Sequence, residues 1–96
     1  MAKNTGKSGS LRLAVLISGG GTTMQNLANH IAMGRLNAQI ELVVSSRADA
    51  FGLQRAQKLG LRREVVARSD FKDPAQMSAQ VFELVRQSGA ALVCLA

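Results

Sequence analysis

Tyrosine and tryptophan are absent from this 96-residue chain, and three phenylalanines supply all of its aromatic surface. Proteins that hold single-stranded nucleic acid stack its bases on aromatic side chains, so that mode of binding has no platform here. The same scarcity requires a core of Leu, Val, Ile, Ala and Met, which suits a sheet covered by helices. Cysteine occurs once, as Cys94 inside the apolar run 90–96. A lone thiol makes no internal disulfide and has no partner at metal-ligand spacing. It reads as a small buried hydrophobe in a reducing compartment, and no metal is expected. No apolar stretch approaches the roughly 20 residues that span a bilayer. The run Leu11–Ile17, which follows Lys3 and Lys7, is too short for a signal peptide and breaks on three glycines. The expected location is cytoplasmic, with no membrane partner. Acidic residues are few as well: six Asp and Glu stand against twelve Lys and Arg, a net charge of +6. That surplus favours anionic ligands. The basic residues are scattered, however, and only Arg62 and Arg63 are adjacent, with Glu64 directly after them. Without a basic stripe, nucleic acid is not the expected partner.

What is present is a rhythm. Residues 1–10 are small and polar and read as a floppy leader. Leu11–Ile17 is almost continuously apolar, as a parallel strand covered on both faces must be. Three glycines follow, then Met24, Leu27, Ala28, Ile31 and Ala32 at helical spacing, with Gly34 as the stop. Residues 40–44 read as a second strand and Ser46, Arg47, Ala48 and Asp49 as a loop that caps a second helix. Leu53, Ala56 and Leu59 form that helix's stripe, closed by Gly60. Residues 65–67 read as a third strand. Asp73-Pro74 starts a third helix, with Asp as cap and Pro at the first helical position. Met77, Val81, Leu84 and Val85 give its buried face, Gly89 ends it, and residues 90–96 form a fourth strand.

Strand and helix alternating in this way predict right-handed crossovers and an α/β, Rossmann-like parallel sheet. The expected strand order is 3-2-1-4, with the first two helices on one face and the third on the other. A wholly apolar last strand wants a neighbour on each side. It predicts either a domain that continues past Ala96 or a homodimer that covers the edge.

Gly19-Gly20-Gly21-Thr22-Thr23 joins the first strand to the first helix. Glycines there permit positive φ and close approach of a ligand, and the helix start presents free N–H groups and the positive end of its dipole. Thr22 and Thr23 add hydroxyls, so the turn reads as a phosphate site that needs no lysine. The dinucleotide fingerprint would require glycine where Met24 stands. After the second strand, Arg47 replaces the acid that would bind a ribose and would suit the 2′-phosphate of NADP. The residues alone therefore leave three readings open: a phosphorylated substrate, an NADP-binding module, and a non-catalytic basic domain on nucleic acid.

The stretch Leu13-Ala14-Val15-Leu16-Ile17-Ser18-Gly19-Gly20-Gly21-Thr22-Thr23-Met24-Gln25 resembles the opening of the phosphoribosylglycinamide formyltransferase family, an apolar strand followed by S-G-x-G-[ST]-N-[LMF]-Q. Val44-Ser45-Ser46-Arg47-Ala48-Asp49-Ala50-Phe51-Gly52-Leu53-Gln54-Arg55-Ala56 is similar to that family's S-N-[KR]-A-D-A-F-G-L-x-R-A. Leu92-Val93-Cys94-Leu95-Ala96 resembles its V-V-L-A strand, after which the family continues G-[FY]-M-R. The resemblance implies formyl transfer from 10-formyltetrahydrofolate to glycinamide ribonucleotide in purine synthesis. It implies that Gly20, Gly21, Thr22 and Thr23, with Met24 completing the segment, hold the substrate's 5′-phosphate, Thr23 standing where the family has Asn. Lys72 and Leu95 are the implied contacts to substrate or folate. The family's catalytic Asn, His and Asp lie past the matched stretch, so residues 11–96 read as the substrate-phosphate-binding half, inactive alone, with a carboxy-terminal half as partner. His30, on the far part of the first helix, reads as a solvent-facing residue with no catalytic role.

Overall fold

The apolar run Leu11–Ile17 becomes β1, an interior strand of a four-stranded parallel sheet in a computed structural model that describes residues 10–95. The leader residues 1–9 and Ala96 lie outside the described residues. After β1 come α1 (Thr22–Ala32), β2 (Ala38–Ser45), α2 (Phe51–Lys58), β3 (Arg63–Val65), a 3-10 turn at Arg68–Asp70, α3 (Pro74–Ser88) and β4 (Leu92–Leu95). The strand order is β3-β2-β1-β4, as expected. Two cores lie on opposite faces of the sheet. Val15, Ile17, Val43, Met24 of α1 and Ala56 of α2 form one; Ala14, Leu42, Val44, Val66 and Val85 of α3 form the other. The α1–α2 pair and α3 thus cover opposite faces, which follows from right-handed crossovers that reverse direction at β1.

The sheet has one irregularity. Leu13 pairs with Ile40 and Ala14 with Leu42, so Glu41 is an extra residue in β2. The bulge inverts the alternation of the strand. Ile40 packs on the α1–α2 side, Leu42 and Val44 on the α3 side, and Val43 between them on the α1–α2 side. A carboxylate in mid-strand thereby escapes both cores, and Glu41 accepts a hydrogen bond from the Gln39 amide.

Several boundaries differ from the periodicity. The third strand is Arg63–Val65 rather than 65–67. It lies at the sheet edge and pairs only with β2, so Arg63 and Glu64 can join the ladder while their side chains reach solvent. Val66, just beyond it, is buried and donates its N–H to the Ser45 carbonyl at 2.9 Å. The stripe of α2 shifts too: Gly52 and Ala56 are buried, while Leu59 lies past the helix end and is exposed. Residues 46–49 do not cap α2. Its N-cap is Ala50, with no side-chain bond, because Arg47 holds the Asp49 carboxylate instead. The start of α3 is as expected: Asp73 accepts the Ala75 N–H at 3.0 Å and Pro74 follows it. Cys94 is half-buried rather than fully buried, against the α1–α2 core.

The packing that fixes the β1–α1 turn is made by α2. The Gly52 N–H donates to the Gly19 carbonyl at 2.9 Å. A Cβ on Gly52 would stand 2.6 Å from Ile17 Cδ1 and 3.1 Å from both the Gly19 oxygen and the Gly21 Cα. In return, a Cβ on Gly21 would stand 2.8 Å from the Gly52 Cα. Retreat of Gly52 would stretch its bond to Gly19, and retreat of Gly21 would disturb the bond its carbonyl accepts from the Gln25 N–H.

Gly52→Ala should therefore destabilise the fold by about 1–3 kcal/mol, lowering the thermal midpoint by about 4–8 °C per kcal/mol. Gly20→Ala, whose Cβ would meet only Thr22 Oγ1 at 3.9 Å, should leave the midpoint unchanged. Circular-dichroism melts of the two variants check this, and equal losses would contradict it. Asp73→Ala should cost about 1 kcal/mol through its lost cap, read in the same melts.

Candidate functional site

Ser18, Gly19 and Gly20 leave the end of β1 exposed, and Gly21 turns the chain into α1. Of the three glycines expected to use positive φ, only Gly21 does, at φ 76°. A Cβ on Gly19 would meet no atom within 4 Å. The missing side chains of Gly19 and Gly20 are thus not required by packing; they leave a strip of backbone bare toward solvent.

The first turn of α1 has no side-chain cap and no acidic residue. The intrahelical ladder opens with the Gln25 N–H bonded to the Gly21 carbonyl at 2.9 Å, so the N–H groups of Thr22, Thr23 and Met24 precede it. Thr22 and Thr23 are both exposed. Met24 differs in kind: its side chain is fully buried and anchors the helix start, so it can offer a ligand only its N–H. An anion here would meet several backbone donors and the positive end of an 11-residue helix. Hydrogen bonds to a charged group contribute about 1.5–3 kcal/mol each.

Beside the turn, a cleft of about 280 Å³ opens at the carboxyl ends of β1, β2 and β4. Ser18, Ser46 and Leu95 line its mouth; Val44, Met77 and Val81 line its apolar floor. Leu95 is 80% exposed. The structure thus brings Leu95 and the turn to one end of the sheet. Lys72 lies elsewhere: it is exposed, and with Arg68, Phe71 and Asp73 it lines a separate cleft of about 460 Å³. Met77 is common to the two clefts.

Arg47 is committed to a partner. Its Nε and Nη2 donate to the two Asp49 carboxylate oxygens at 3.1 and 3.0 Å. That hydrogen-bonded pair raises the guanidinium pKa and lowers that of the carboxyl. A bidentate partner matches the charge that a 2′-phosphate would need. His30 is exposed in the last turn of α1, at the end away from the glycines. Among the described residues no three His, Cys, Asp or Glu side chains gather to hold a metal, and no helix is long and apolar enough to cross a membrane.

Two residues carry structure at the site that periodicity does not reveal. The Ser45 hydroxyl is buried, accepts the Arg47 N–H at 3.1 Å and donates to the Arg47 carbonyl at 2.6 Å, fixing the loop that leads to α2. Arg55 of α2 lays its stem on the turn: its Cδ is 3.6 Å from where a Gly21 Cβ would be. The only sequence signal for Arg55 is its place in the family-like stretch 44–56, three residues after Gly52.

A family model described as formyl transferase matches residues 11–96. Phosphoribosylglycinamide formyltransferase of Haemophilus influenzae is 33% identical over 85 residues, which cover 88% of this chain and 40% of that protein. The human trifunctional purine biosynthetic protein adenosine-3 is 31% identical over 85 residues, 88% of this chain and 8% of that protein. Among solved structures, glycinamide ribonucleotide transformylase 1 from Symbiobacterium toebii superposes with a TM-score of 0.88 at 34% identity, over 98% of this chain and 45% of that one. The chain therefore spans less than half the length of these relatives. With the matched segment beginning at β1 and running through the uncapped turn to β4, the chain belongs to the formyl transferase family.

Proposed function

We propose that residues 11–96 form the substrate-phosphate-binding half of a phosphoribosylglycinamide formyltransferase of purine synthesis, working in the cytoplasm. The reaction is transfer of a formyl group from 10-formyltetrahydrofolate to the amine of glycinamide ribonucleotide. The observation that carries this reading is the uncapped start of α1 beneath the bare Gly19-Gly20 backbone, inside the segment of the family match. Gly20, Gly21, Thr22, Thr23 and the Met24 N–H hold the 5′-phosphate. Thr23 offers a shorter donor than the family's Asn.

The neighbouring cleft supports the rest of the reading. Its floor of Val44, Val66, Met77 and Val81 fits a flat heterocycle, with Leu95 at the rim. The folate, when bound, supplies the formyl group. Lys72, exposed and cationic, would meet carboxylates extending past that cleft. Formyl transfer also needs a base for the amine and donors for the oxyanion. His30 stands at the wrong end of α1 for either task, so these residues bind substrate without turning it over. The outer edge of β4 carries exposed Leu92, Val93 and Leu95. A carboxy-terminal half, corresponding to the rest of the relatives' length, would pair there.

Glycinamide ribonucleotide, or ribose 5-phosphate as a weaker mimic, should shift the amide NMR signals of Gly20, Gly21, Thr22, Thr23 and Met24 before others. Gly20→Ala should weaken that binding while the fold persists. Movement of Arg47 signals with NADP, and none with the phosphosugar, would overturn the reading. The chain alone should transfer no formyl group above background, and His30→Ala should change nothing in the same assay. Adding the carboxy-terminal half of a relative in trans should raise the melting temperature and restore turnover; a sharply melting monomer indifferent to that addition would contradict the pairing.

A further inference from the structure

We infer that Arg55 is a positioning residue for the bound phosphate, an unpaired cation held behind Gly21 so that its charge adds to the field of the α1 amino terminus. The inference rests on the phosphate reading of the turn. Its first support is placement. The Arg55 Cδ lies 3.6 Å from the position a Gly21 Cβ would take, and its guanidinium carbon lies 5.2 Å from the centre of the Phe51 ring. Phe51 is the first residue of α2, so the head group folds back toward the amino end of its own helix. The Gly52–Gly19 hydrogen bond brings that same end against the turn. The amino ends of α1 and α2 and the cation therefore meet around one loop.

The second support is what Arg55 lacks. Arg47, Arg62 and Arg86 each sit beside a carboxylate, whereas Arg55, like Arg12, Arg35, Arg63 and Arg68, has no carboxylate bridge among the described residues. Its Nε is buried and has no hydrogen-bond acceptor. Native structures seldom leave such a donor unmatched without a reason. A cation–π contact orients the guanidinium without neutralising it. The head group lies within about a Debye length, ~8 Å at physiological salt, of the turn. An anion arriving at Gly20 and Thr22 would supply the opposite charge that the protein withholds.

The stem and the charge are separable. Arg55→Met keeps an unbranched side chain against Gly21 and removes the cation; Arg55→Lys keeps the cation. Ribose 5-phosphate is titrated into the full 96-residue wild type and both variants at low and high salt, with amide NMR as the readout and melting curves as the control. Arg55→Met should bind roughly tenfold more weakly at low salt, as expected for one charge at this range. The gap should narrow at high salt, and Arg55→Lys should bind close to wild type. A purely structural role would lower the midpoint, or give a loss that salt does not change and Lys does not rescue; either result overturns the inference. So does Arg55→Met binding like wild type. If the wild-type turn signals do not respond to ribose 5-phosphate at all, the phosphate reading itself falls and this inference with it.

Discussion

Two glycine backbones in contact, Gly21 at the end of the first turn and Gly52 at the start of α2, are what the site depends on. With side chains excluded from both positions, the Gly52 N–H reaches the Gly19 carbonyl, and α2 becomes a wall behind the loop. The left-handed conformation of Gly21 then aims α1 so that its free N–H groups open beside the carboxyl ends of β1 and β4. Met24 locks that direction from below by filling the core on the α1–α2 face. The two stretches that resemble the formyltransferase family, far apart in the chain, are therefore one physical unit: the second holds the first in shape.

Electrostatics is arranged around the same loop. Three exposed arginines have local carboxylate partners: Arg47 with Asp49, Arg62 with Glu64, Arg86 with Glu83. Such exposed pairs contribute little to stability. What sets Arg55 apart is burial: its Nε is enclosed without an acceptor, close to the uncapped start of α1.

The α3 side of the sheet is organised differently. Val66, Val85, Ala14, Leu42 and Val44 form a closed core, but toward β4 the cover thins, leaving Phe82 and Val93 exposed around an apolar cleft. The proposed phosphate site would need only backbone donors and a rigid loop, which one sheet and two helices supply. Formyl transfer needs a base, oxyanion donors and a dry pocket converging on one carbon, and the described residues bring no such set together.

The alternation of apolar runs with helical stripes by itself determined the parallel sheet, its strand order and the faces that the helices cover, because a strand buried on both sides has to be continuously apolar. It also determined the turn at Gly19, Gly20 and Gly21 and the Asp73-Pro74 helix start, where local chemistry decides the backbone. Only the tertiary structure decided which glycine takes positive φ, since that depends on α2 arriving at Gly21 from another part of the chain. The bulge at Glu41, the early start of β3 and the failure of Asp49 to cap α2 are likewise set by partners: β1 across the ladder, solvent at the sheet edge, and Arg47 beside the carboxylate. Lys72 and Leu95 look equivalent as neighbours of a site in the sequence. Their separation into two clefts follows from where α3 begins, a distance in space that spacing along the chain does not encode.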